Sequence, residues 1–246
     1  MADYDARLVE LYDTDNPDGS DHEFYRQVAD EIGAGTILDI GCGTGMLTVS
    51  FARAGRTVVG IDPSPNMLAC ATNRANGQSV RWMLGDSRDI PAEPFDYAVM
   101  TGNVAQHIVD SEWERTLTDI SGALRDGGVL AFESRNPQAR AWENWAAVEP
   151  TLRDTASGPL REWYEVNETE PGQIVLTAHN RLEDTGERIT EQLTLAFRER
   201  KLIEQQLRKA GFVVDGVWND WNRTPSTDGS PTMVFETHRA GSTTAA

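Results

Sequence analysis

Thr36-Ile37-Leu38-Asp39-Ile40-Gly41-Cys42-Gly43-Thr44-Gly45 decides the fold of this 246-residue chain. It reads as a buried strand running straight into a glycine turn, with a helix predicted over 46–54. A second short strand, 57–61, ends at the acidic Asp62. Glycines at alternate positions leave no Cβ at the crossover, so a ligand can lie directly on the backbone. A carboxylate at the tip of the next strand can accept from both hydroxyls of a ribose. A βαβ unit built this way binds a ligand that carries a nucleoside.

The spacing narrows the ligand. A dinucleotide site wants G-x-G-x-x-G with its pyrophosphate on a helix N-terminus. Here the third glycine comes one residue early, and Asp39 precedes the loop. An acid beside the turn repels a pyrophosphate and attracts an ammonium group, which disfavours a nicotinamide-dependent oxidoreductase. A ligand with a ribose, an ammonium and no phosphate is S-adenosylmethionine. The run Leu38–Gly45 resembles the first motif of the class I (Rossmann-like) methyltransferases of the small-molecule type.

The next elements keep the rhythm of that family. The run 80–87 reads as a third strand ending in Asp86, and 95–103 as a fourth. A helix over 111–125 repeats apolar residues at Trp113, Leu117, Ile120 and Leu124, and Gly127-Gly128 stops it before a fifth strand at 129–133. Strands alternating with helices predict an α/β fold. Its sheet is doubly wound, mostly parallel and seven-stranded, with helices on both faces and an antiparallel β insertion between strand 5 and the last helix. The resemblance covers roughly residues 36–136 well and the later elements more loosely.

By this resemblance, Gly41, Gly43 and Gly45 carry the methionine part of the cofactor over bare backbone, with Cys42 lending backbone only. Asp39 faces the ammonium, and Asp62 takes the ribose with Pro63 and Met67 beside the adenine. Asp86, assisted by Ser87, receives the adenine amino group. Thr101 and Gly102 supply backbone oxygens near the sulfonium. The reaction implied is in-line methyl transfer to an oxygen or nitrogen of a small metabolite, leaving S-adenosylhomocysteine. The sequence is similar to ubiquinone- or menaquinone-biosynthesis and sugar or glycine N-methyltransferases, with no residue that selects among their acceptors. The alternative is a non-catalytic S-adenosylmethionine-binding regulatory or scaffold protein.

Composition bounds the partners. A formal net charge of −17 and an isoelectric point of about 4.6 leave no basic patch of the kind that displaces counterions from nucleic acid. Cys42 and Cys70 do not make a disulfide framework and suit a reducing compartment. No apolar run approaches ~20 residues, and the acidic N-terminus lacks the pattern of a signal peptide. The expectation is a soluble cytoplasmic protein, monomer or homodimer, without membrane contact. No His, Cys or carboxylate pair shows metal-ligand spacing, so no metal is expected.

Three regions are expected: an N-terminal helical cap (1–35), a methyltransferase domain (36–240) and a disordered tail (241–246). The cap has helices at 8–11 and 22–32, the second capped by Ser20 or Asp21. Tyr12 and Tyr25 either reach into the acceptor site from it or pack it against the domain. Residues 136–198 form an inserted subdomain that covers a small acceptor, or else a dimer surface or plain scaffold. It opens with a helix over 138–148 carrying Trp142 and Trp145. Three strands follow at 161–168, 173–182 and 188–198, broken at Pro171-Gly172 and Asp184-Thr185-Gly186. In the third, Ile189, Glu191, Leu193, Leu195 and Phe197 share one side. A helix over 199–210 turns Leu202, Ile203 and Leu207 inward before Gly211. Strands at 212–218 and 233–237 complete the sheet.

The activated sulfonium asks mainly for positioning, since orientation alone supplies effective molarities of ~10⁵ M or more. His107, in the loop after the fourth strand, is either a general base or a histidine that holds the loop. His179 faces either the acceptor or solvent. Glu133 and Arg135 contact acceptor groups, or else pair with each other or with the insertion. Trp142, Trp145, Trp163 and Tyr164 are candidates to sandwich a flat or cationic acceptor, or to form core.

Overall fold

In the computed structural model, which describes residues 4–146 and 149–241, two helices come first: α1 (Ala6–Asp15) and α2 (Ser20–Glu31). The expected cap on α2 is not formed. Ser20 is already helical, and the N-cap is Gly19, which has no side chain to offer. Asp21 and Glu23 in the first turn face the positive end of the helix instead.

The alternating part follows as β1 (Thr36–Ile40), α3 (Met46–Phe51), β2 (Thr57–Asp62), α4 (Pro65–Asn73), β3 (Arg81–Leu84), β4 (Phe95–Met100), α5 (Val104–His107), α6 (Asp110–Ala123) and β5 (Leu124–Arg135). β1 is pinned at its start because Gly35 and Thr36 donate backbone N–H groups to Asp96 on β4, both at 2.9 Å. Helix α4 begins where Pro65 sits in the first turn and the Ser64 side chain accepts from the Met67 N–H. Gly127 and Gly128 do not end α6 as expected. Leu124 turns extended to pair with Phe95, and pairing resumes only at Val129, so the glycines lie in an irregularity inside β5.

The insertion begins with α7 (Ala141–Ala146), shorter than the helix expected over 138–148. Arg140 adopts a left-handed conformation just before α7, and residues 147–148 lie outside the described residues. Four antiparallel strands follow: β6 (Thr151–Thr155), β7 (Gly158–Glu170), β8 (Gln173–Leu182) and β9 (Arg188–Ala196). β6 was not expected, because its five polar-rich residues carry no alternation. Helix α8 (Arg200–Lys209) leads to β10 (Phe212–Trp218) and β11 (Thr232–Arg239). Ile203 and Leu207 point inward, whereas Leu202 is exposed. The tail at 242–246 lies outside the described residues.

The main sheet has the order β10-β11-β5-β4-β1-β2-β3. β1 to β5 are parallel, and β11 runs antiparallel to both β5 and β10. Alternate residues of each strand feed two cores. Leu38 and Ile40 join Trp113, Leu117, Ile120, Ile203 and Leu207 under α6 and α8. Ile37, Tyr97 and Val99 join Phe24, Tyr25, Val28, Leu47 and Phe51 under α2 and α3. Trp113 packs edge-on to Phe132, which stacks on Phe235 at 4.9 Å. Strand order reverses between β1 and β4, so a crevice opens at their carboxyl ends. No helix among the described residues is long and apolar enough to cross a membrane.

Candidate active site

A cavity of about 570 Å³ occupies that crevice. One half is made by the chain ends after β1, β2 and β3. Gly43, Asp62, Pro63, Met67, Asp86 and Ser87 line it. The carboxylate of Asp62 accepts from the Gly43 N–H at 2.8 Å and from the Ser64 N–H at 2.9 Å, which locks the glycine loop to the tip of β2.

The three glycines have three different jobs. All have positive φ, from +54° to +74°. A Cβ on Gly41 would lie 2.5 Å from the Val104 side chain, so Gly41 lets α5 approach the loop. A Cβ on Gly45 would lie 2.6 Å from the Trp82 ring and 2.9 Å from Ala71. Only at Gly43 does an added Cβ meet nothing within 4 Å, which leaves bare backbone facing the cavity. Gly45 thus packs against Trp82 and Ala71 and is not among the residues that line the cavity. The Cys42 thiol packs against Gly60, burial pushes its pKa up, and the residue offers backbone at most.

Asp39 lies under the loop, almost fully buried. One carboxylate oxygen accepts from Thr48 Oγ1 at 2.6 Å, and the other finds no hydrogen-bond partner among the described residues. Burial pushes its pKa up to about 7. A buried carboxylate with an unused lone pair fits a cationic ligand group or a bridging water. Asp86 reaches the wall, but the backbone N–H and guanidinium of Arg88 hold its carboxylate and its pKa falls accordingly. Ser87 donates to Asp119 at 2.7 Å and accepts from Arg115 at 2.9 Å. Thr101 is not among the lining residues, whereas Gly102 is.

Residues 37–128 match the family of methyltransferase domains. Over this stretch the chain resembles methyltransferase domains. It is 30% identical over 143 residues to a glycine/sarcosine N-methyltransferase of Parasynechococcus marenigrum, covering 55% of this chain and 50% of that protein. A malonyl-[acyl-carrier protein] O-methyltransferase of Pectobacterium atrosepticum is 32% identical over 137 residues, covering 51% and 53%. The chain thus spans about half the length of the curated relatives it matches. An S-adenosylmethionine-dependent methyltransferase from Clostridium acetobutylicum has the same fold, with a TM-score of 0.79 over 95% of this chain and 98% of that one at 17% identity. Gly43 and Asp62 line the cavity, whereas the half-satisfied Asp39 is not among its lining residues.

The other half of the cavity is bounded by Tyr4 and Tyr12, by His107, Ile108 and Val109, and by Leu193 of β9. Tyr12 arrives because α1 is tied down across the domain. Thr44 donates to Asp13 at 2.6 Å, Arg74 pairs with the same carboxylate, and Arg153 of β6 pairs with Asp15. Tyr4, whose carbonyl accepts from Asn66 at 2.7 Å, was missed because it precedes the helix and so escapes a helical pattern. His107 lies on this wall with its pKa lowered to about 4, first by burial and then by the nearby Arg135 cation. It stays neutral at physiological pH and accepts a hydrogen bond better than it holds a proton.

Several acceptor candidates lie elsewhere. Tyr25 is fully buried, and its hydroxyl donates to Glu133. Glu133 also accepts the Asn103 N–H, so it braces the loop after β4 from within the core. Arg135 donates to Gln106 at 3.0 Å and lies over the Trp145 ring. Trp142 and Trp145 pack on Phe197 and form a small third core with Ile174 and Leu195. Trp163 stacks on His179 at 4.9 Å across β7 and β8, with Arg188 above it. These aromatics were attractive as a sandwich only because strand register and helix placement are invisible in the chain. Among the described residues no cluster of three metal-ligating side chains occurs.

Burial pushes Glu133, like Asp39, up to about 7. A carboxyl raised in the folded state contributes stability below its unfolded value, near 4.5 for Glu133, and loses it as pH rises through about 7. Glu133→Gln is expected to shrink the drop in urea midpoint between pH 5.5 and 7.5. An undiminished drop in the variant would mean that Glu133 is ionised throughout.

Proposed function

We propose that this chain transfers a methyl group from S-adenosylmethionine to an oxygen or nitrogen of a small molecule. One observation carries the reading: a single cavity is lined by Gly43 and Asp62, suited to a nucleoside, and also by Tyr4, Tyr12, His107 and Leu193. The second half has room for a small acceptor, and the insertion builds part of its wall through β9. Relatives that methylate nitrogen and oxygen both support the reaction class. When bound, the cofactor supplies a methyl group already activated on its sulfonium.

The chain's own part is to hold and to exclude. Asp39 faces the ammonium, directly or through a water, and Gly43 leaves the backbone open. Asp62 accepts from the ribose hydroxyls, with Pro63 and Met67 along the adenine. At the adenine edge Asp86 must share its carboxylate with Arg88, so the backbone beside Ser87 contributes as well. Neutral His107 accepts a hydrogen bond from the acceptor's O–H or N–H and aims its lone pair. Orientation and exclusion of water then carry the acceleration.

Calorimetry tests the cofactor first. S-adenosylmethionine and S-adenosylhomocysteine are expected to bind at micromolar affinity, and NAD not at all. Turnover of an amine and hydroxyl acceptor panel, read as S-adenosylhomocysteine released, tests the transfer. Binding without turnover of any acceptor would favour a cofactor-sensing role.

A further inference from the structure

Arg198 is a buried guanidinium that joins the insertion to the loop after β4. It follows β9 by two positions, and its side chain is 3% exposed. Its Nε donates to Asp110 Oδ1 at 2.8 Å, its Nη1 to the Ala105 carbonyl at 2.8 Å and its Nη2 to the Ile108 carbonyl at 2.5 Å. The flat of the guanidinium lies 4.7 Å from the centre of the Trp113 ring. These partners bracket His107 on both sides. The C-terminal carbonyls of so short a helix would otherwise be buried without donors.

We propose that Arg198 is a positioning residue for the acceptor wall, making β9 of the insertion and the His107–Val109 segment a single unit. This rests on the methyl-transfer reading above. Leu193 on one side of the cavity and His107, Ile108 and Val109 on the other then hold a constant separation, and that separation sets which acceptors fit. Lysine cannot replace arginine here, because the fork meets three acceptors in different directions and an ammonium on a flexible stem reaches one or two.

The test uses the full chain with 13C-labelled histidine. His107 is one of four histidines. The Arg135 cation of β5 acts on its imidazole, and Arg198 and Asp110 are the charged groups bonded to each other at its own loop. In the native chain it is expected to titrate near pH 4. In Arg198→Lys, which keeps the charge but not the fork, water reaches the wall and His107 is expected to titrate at least one full pH unit higher. Affinity for S-adenosylhomocysteine should stay within about two-fold, since Gly43 and Asp62 lie on other loops. Asp110→Asn, an exposed change that weakens only one of the three bonds, should give a smaller shift in the same direction. It decides the matter if Arg198→Lys does not fold. Unmoved His107 titration in a folded variant would overturn the assignment and leave Arg198 merely structural. Failure of the native chain to bind S-adenosylhomocysteine would overturn the methyl-transfer reading, and with it the acceptor role of this wall.

Discussion

Asp62→Ala is expected to weaken S-adenosylhomocysteine binding by about 100-fold while the chain stays folded. Hydrogen bonds to a charged acceptor contribute ~1.5–3 kcal/mol each, and ~1.4 kcal/mol is tenfold in affinity. A ribose diol offers two such bonds. The same carboxylate also holds the Gly43 and Ser64 N–H groups, so the variant loses loop geometry as well as ligand contacts. Asp62→Asn separates the two effects. An amide oxygen can keep one backbone donor but cannot hold both and the diol, so an intermediate affinity is expected. Calorimetry measures both variants, and a melting curve checks the fold. Native affinity in a folded Asp62→Ala would place the ribose elsewhere.

Gly45→Val is expected to be the most destabilising change in the loop, at about 2–5 kcal/mol by urea titration. The left-handed backbone costs a β-carbon residue ~1–2 kcal/mol, and overpacking a filled site costs ~1–3 kcal/mol more. Trp82 cannot retreat freely, since its Nε1 donates to the Gly77 carbonyl at 2.9 Å and its ring also covers Gly60. Gly43→Val makes the contrast. It incurs the backbone cost alone, because its Cβ meets no protein atom, but it fills the space that the ligand would take. The expected pattern is a stability loss at Gly45 and an affinity loss at Gly43. Equal stability losses at both positions would mean that the loop works as scaffold throughout.

Gly43 and Gly45 also mark how far the chain could be read without its fold. The motif, its spacing and Asp39 were enough to place a strand, a turn and a nucleoside-type ligand. That is because backbone conformation at glycine and charge beside a turn are local properties. The same is true of the alternation that yields seven strands and a separate antiparallel insertion. What a particular glycine faces is not local. Trp82 comes from the next strand but one, and nothing in the loop announces it. Glu133 looked like an acceptor contact because it ends β5 at the functional edge, yet Tyr25 from α2 takes it into the core.

The sequence by itself determined the fold class, the cofactor-type crevice and the acids at the strand tips, since each follows from short-range pattern and strand-end chemistry. The tertiary structure decided the other half of the cavity. Tyr4, Leu193 and Arg198 come from segments about 190 residues apart in the chain. Tyr4 is placed by its bond to Asn66, Leu193 by sheet register and Arg198 by its bonds to the loop after β4, none of which a local pattern encodes, and Trp142, Trp145 and Trp163 pack within the insertion.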